Sequence, residues 1–107
     1  MHDERRKYQR LHAPVVCRPL GRPIGLSLPV KDVSLGGIRV YTDDLHRIGD
    51  RLELELWLPD GTGLTLDSTV VWVDELGGLP AKFEVGLQFV DVAQKDFERL
   101  QVVLKSE

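Results

Sequence analysis

Along much of this chain apolar and polar residues alternate one for one, the pattern of strands with one face buried. From Leu52 to Leu58 the four leucines share one face, while Glu53, Glu55 and Trp57 take the other. From Phe83 to Val90, Phe83, Val85, Leu87 and Phe89 point inward, and Glu84, Gly86, Gln88 and Val90 outward. Between these runs a long strand is expected over Leu64–Val73, and Ile38 and Val40 mark a short one ending before Thr42. Ala13–Arg18 and Leu26–Val33 are weaker strands, interrupted by Pro14 and Pro29 and bordered by Pro19 and Pro23. Proline cannot donate to a ladder, so these two segments should be edges, strand starts or bulges. Turns are expected at Gly36-Gly37, at Pro59-Asp60-Gly61, which should close a hairpin, and at Gly77-Gly78.

The period changes at the end of the chain. Ala93, Phe97, Leu100 and Leu104 fall on one helical face, which predicts a helix over about 93–105. Asp91 followed by Gln94 resembles a capping box at its start. Six short strands and one terminal helix predict an all-β fold: an antiparallel barrel or tightly closed sandwich, with the helix stripe covering an open end or edge. Residues 1–10 should form an arm outside a single domain spanning 11–107.

Composition is that of an ordinary soluble domain: 42% hydrophobic and 29% charged over 107 residues, enough for one core. No apolar run approaches the roughly 18–20 residues of a membrane span. The polar start lacks the apolar region of a secretory signal, and the lone Cys17 cannot form an internal disulfide. A cytoplasmic protein is therefore expected.

Charge alters the picture. Residues 1–22 hold six basic side chains against two acids, whereas the remaining 85 hold 8 against 15. Such an acidic body repels long nucleic acid, whose binding needs many phosphates neutralised, so no DNA or RNA partner is expected. A short basic arm suits a small anion, although a solvated charged tail is the plainer account of composition alone. An oligonucleotide-binding barrel is disfavoured further because no basic residues interleave with aromatics along the strands.

Catalytic patterns are missing from the sequence. His2, His12 and His46 share no metal-ligand spacing, and neither a nucleophile elbow nor a phosphate-cradling loop with its lysine occurs. No enzyme, metal site or cofactor is expected. Trp57 and Trp72 read as barrel-wall or helix-contact residues before they read as stacking platforms. Trp57, whose alternation turns it outward, could instead serve with Glu53 and Glu55 as a docking face for a protein partner.

Two segments carry readable chemistry. Arg6 and Arg10 stand four apart with Arg5 just before them, and Asp32, Ser34, Gly36 and Gly37 follow about 20 residues later in a strand-to-turn transition. A guanidinium offers a planar donor fork that fits the O6/N7 edge of guanine or clamps a phosphate. Asp32 is a pure acceptor, suited to the N1–H and N2–H donors of guanine, and Ser34 can donate or accept. Gly36 and Gly37 would permit close approach of a ligand to the backbone, and positive φ in the turn.

Each motif alone is common, but their order is more specific: R-x-x-x-R, then D-x-S-x-x-G, then alternating strands and a final helix. This arrangement resembles the PilZ domain family, bacterial receptors of the second messenger cyclic di-GMP built on a six-stranded antiparallel β-barrel. The resemblance runs from about Glu4 to Leu104 and includes Gly86-Leu87-Gln88-Phe89, similar to a glycine–phenylalanine signature on a late strand. It implies that Arg6 and Arg10 are the family's arginine pair and that Asp32, Ser34 and Gly37, with Gly36 beside them, form the second motif. Arginine at position 5 implies a stacked dimer of the dinucleotide. The expectation is thus a cyclic di-GMP receptor whose N-terminal arm is mobile when empty, folds over the ligand and signals to an effector protein, a homodimer being one resting state. The competing expectation is a protein–protein module on the same barrel that works without ligand.

Overall fold

A computed structural model describes residues 16–20 and 28–105. Six strands form one antiparallel sheet: β1 (Val16–Pro19), β2 (Val30–Val33), β3 (Gly37–Thr42), β4 (Arg51–Trp57), β5 (Gly63–Glu75) and β6 (Phe83–Val90), followed by helix α1 (Gln94–Lys105). Their spatial order is β1-β4-β5-β6-β3-β2. The two edges are thus β1, which ends in Pro19, and β2, which Pro29 precedes, positions where a missing N–H costs the ladder least. The sheet curls until those edges approach each other, and Leu28 N–H donates to the Cys17 carbonyl at 2.8 Å across the seam.

The period-two pattern sets which face is buried. Leu52, Leu54, Leu56, Leu64, Leu66, Val70, Val85, Leu87, Ile38 and Val40 all point into the curl. Leu100, Val103 and Leu104 of α1 fill its open side, with Phe97 half-buried beside them. The expected hairpin closes at Pro59–Gly61, where Gly61 N–H donates to Leu58 O at 2.9 Å and Gly61 takes a positive φ of 87°.

Three local expectations change. The Asp91 capping box does not form: Asp91 has a φ of 53°, and Ala93 occupies the cap, its carbonyl accepting from Phe97 N–H at 2.9 Å. Ala93 is consequently exposed, and Val103 replaces it on the buried stripe. The long strand runs two residues further than its apolar pattern, to Glu75, because a bulge between Val70 and Trp72 resets its register against β6. Finally, Gly36 and Gly37 are not the left-handed glycines; positive φ falls at Gly49, Gly61, Gly77 and Gly78. Among the described residues no helix is long and apolar enough to cross a membrane.

Candidate functional site

One row of residues crosses the outer face of the sheet: Asp32 on β2 pairs with Arg39 on β3, Arg39 with Gly86 on β6, and Gly86 with Trp72 on β5. Strand alternation puts all four on the side away from the leucine core, and the bulge before Trp72 turns that indole to the same side. Polar groups here are covered although they face outward. Asp32 is 0% exposed and Glu84, on the same face of β6, is 8% exposed.

The row is built by specific contacts. Asp32 accepts from Arg39 at both carboxylate oxygens, Nε–H reaching Oδ1 at 2.7 Å and Nη2 reaching Oδ2. The pair is therefore a side-on bidentate fork, the geometry that makes arginine–carboxylate pairs strong and oriented. Hydrogen bonding to Asp32 holds the Arg39 guanidinium above its ordinary pKa, opposed by its partial burial and aided by the charges of Asp32 and Glu84. Beside it, Lys31 Nζ lies 3.3 Å from Glu84 Oε1, so the second buried acid also has a cation. Gly86 is required by Trp72: a Cβ there would come within 3.0 Å of Nε1, Cε2 and Cδ1 of the indole, which lies directly over the glycine.

The D-x-S-x-x-G segment turns the chain from β2 into β3. Ser34 N–H donates to Gly37 O at 2.8 Å, Ser34 Oγ lies 3.4 Å from the same carbonyl, and Gly36 N–H donates to Ser34 Oγ at 3.2 Å. Gly36 O in turn accepts from Phe89 N–H at 3.0 Å, tying the turn to β6. Gly37 is a packing glycine, since a Cβ there would collide with the carbonyl oxygen of Leu87 and stand 3.2 Å from Gln88 Cα.

Asp32, Ser34, Gly36 and Gly37 are therefore brought together at one end of the outer row. Arg5, Arg6 and Arg10 lie outside the described residues, as does the rest of the basic arm. Sequence reasoning missed Arg39. It stands two residues after the motif, on the outward phase of its strand and directly opposite an acid, and that cross-strand pairing was its only signal. Trp57 does face outward, 46% exposed, donating its Nε1–H to Glu55 Oε1 at 3.1 Å and covering Gly63 rather than packing under the helix.

A separate shallow cleft lies between β4, β5 and the start of α1, with Glu53, Asp67, Asp91 and Asp96 in its lining. Four carboxylates make it unsuited to an anion, and it shares no residue with the outer row. Among the described residues no three His, Cys, Asp or Glu side chains are placed to hold a metal ion.

Comparison with known proteins agrees with this architecture. The family model described as the PilZ domain matches residues 4–105. No curated protein matches the chain. Among solved structures, the Bacillus subtilis inhibitor of motility (MotI/DgrA) superposes with a TM-score of 0.79 at 22% identity, over 97% of this chain and 51% of that one. YcgR from Escherichia coli in complex with c-di-GMP gives 0.75 at 22% identity, over 95% of this chain and 45% of that one. The K. pneumonia MrkH–c-di-GMP complex gives 0.77 at 20% identity, over 97% of this chain and 52% of that one. The chain spans about half the length of each of these three structures.

Proposed function

The chain belongs to the PilZ domain family, and on that premise we propose that it is a cyclic di-GMP receptor. The observation that carries this reading is the convergence of Asp32, Ser34, Gly36 and Gly37 on the outer face of the sheet, in a chain whose basic residues concentrate before β2. The turn and the row beside it supply the rigid wall of the site. Arg6 and Arg10 supply the cationic side, gripping a guanine edge and a phosphate, and Arg5 adds the charge that a second, stacked dinucleotide needs. Two solved relatives in the fold comparison are complexes with c-di-GMP, which supports the choice of ligand.

The ligand then joins the arginine-bearing segment to the barrel and creates a surface that an effector protein reads, a switch of the ordering type. A ligand-independent docking module is the second reading, favoured by one observation: Trp57 and its cross-strand neighbour Val16 are both about half exposed, on the β1–β4 side of the sheet.

Titrating the purified chain with cyclic di-GMP, cyclic di-AMP and single-stranded DNA separates these readings. Saturable binding of the guanine compound alone is expected, and Arg10→Ala should weaken it by roughly one to two decades. Binding of none of the three would leave the docking module standing, and an undiminished affinity in Arg10→Ala would remove the arginine pair from the site.

A further inference from the structure

Arg39 belongs to neither sequence motif, yet it is the charged side chain at the centre of the outer row. Its guanidinium carries five N–H donors, and the side-on fork to Asp32 uses Nε–H and one hydrogen of Nη2. What remains includes the end-on fork of Nη1 and Nη2, two parallel donors of the same spacing. The two partners differ in access: the Asp32 side chain is 0% exposed, whereas that of Arg39 is 24% exposed. The carboxylate is fully covered, and the cation is partly open to solvent.

Its neighbours fix the guanidinium in place. On one side Asp32 holds it, and across β6 the next residue of the row is Gly86, which projects no side chain of its own and is overlaid by Trp72. A guanidinium anchored on one side, with an indole across the row, gives up little freedom when it meets a ligand. Glu84, the other acid of this face, has Lys31 as its own cation at 3.3 Å, which leaves Arg39 to Asp32.

We infer that Arg39 is a further specificity-determining residue of the site, presenting its end-on fork to the O6/N7 edge of one guanine while Asp32 orients it. This deepens the receptor reading and rests on it. The chemistry selects guanine because its O6 and N7 both accept. Adenine puts an amino donor in place of O6, facing two donors of the arginine. Asp32 is then a positioning residue whose removal acts through Arg39.

The test is calorimetric titration of the whole chain with cyclic di-GMP and with its 7-deaza-guanine analogue, which lacks the N7 acceptor. Three variants are compared with the parent chain: Arg39→Lys, which keeps the charge and loses the fork; Arg39→Met; and Asp32→Asn/Arg39→Met, which also removes the buried negative charge if Arg39→Met alone does not fold. The parent chain should prefer the natural ligand by about tenfold or more, and each variant should lose most of the part due to one guanine. A purely structural Arg39 would weaken both ligands by one common factor and leave the ratio at the parental value; that result overturns the inference while sparing the receptor reading. A parent chain that binds neither ligand overturns both.

Discussion

Replacing Gly37 with alanine tests whether this motif glycine is there for the fold or for a ligand. A Cβ at position 37 would overlap the Leu87 carbonyl oxygen and lie 3.2 Å from both Leu87 C and Gln88 Cα, all backbone atoms of β6. Carbon-to-oxygen contacts between strands normally sit at about 3.3–3.6 Å, so β3 and β6 must part where Gly37 pairs with Gln88. Overpacking of this kind costs about 1–3 kcal/mol, and one strained ladder bond adds about 1 kcal/mol. Against that, alanine stiffens the unfolded chain and returns about 0.4–1 kcal/mol. The net loss is about 2 kcal/mol, a fall in Tm of roughly 8–16 °C for a domain of this size. Urea unfolding should show a lower midpoint with an unchanged slope. A variant as stable as the parent to within about 0.5 kcal/mol would refute the packing argument and hand the glycine back to ligand approach.

Arg39→Met should destabilise the unliganded domain by about 3 kcal/mol, because it takes the bidentate cation from a fully buried carboxylate, and adding Asp32→Asn should recover part of that loss in the same urea assay; equal stability of the two variants would contradict the ion-pair account. Gly86→Ala should push the Trp72 indole off β6, seen as a red shift of tryptophan emission, and an unchanged spectrum would show that the indole does not rest on the glycine. Burial pushes the Cys17 thiol up to about 12 from an ordinary 9.0. The folded protein should therefore resist thiol reagents at pH 8 until it unfolds. Because the unfolded thiol ionises first, stability should decline by up to about 1.4 kcal/mol per pH unit from 9 towards 12 relative to a Cys17→Ala variant; parallel pH profiles would refute the assignment.

The strands were legible because one face of each is buried: Leu52, Leu54, Leu56 and Leu58 alternate without exception and form one wall of the core. The prolines correctly marked β1 and β2 as edges: Pro19 ends one and Pro29 precedes the other, where a missing donor is least needed. The helix face was legible to within one residue, and its cap was not, because an Asp two positions early reads like a cap until the left-handed turn at Asp91 carries it away from the helix. At the site, the pattern identified the turn but not the packing of its second glycine. Nothing in a linear sequence shows that the carbonyl of Leu87, fifty residues later, approaches Gly37. Arg39 was illegible for the same reason. A lone arginine on a strand looks like a solvated charge, and its fork to Asp32 exists only through the pairing of β2 with β3.

On the receptor reading, a guanine dinucleotide sits on the outer row that starts at Asp32. Backbone amide shifts recorded while cyclic di-GMP is added to the isotope-labelled chain address it directly. Saturable shifts should concentrate at Ser34–Arg39 and Gly86 and leave Glu53 and Glu55 of β4 unmoved; shifts confined to the Trp57 side, or none at all, would contradict it.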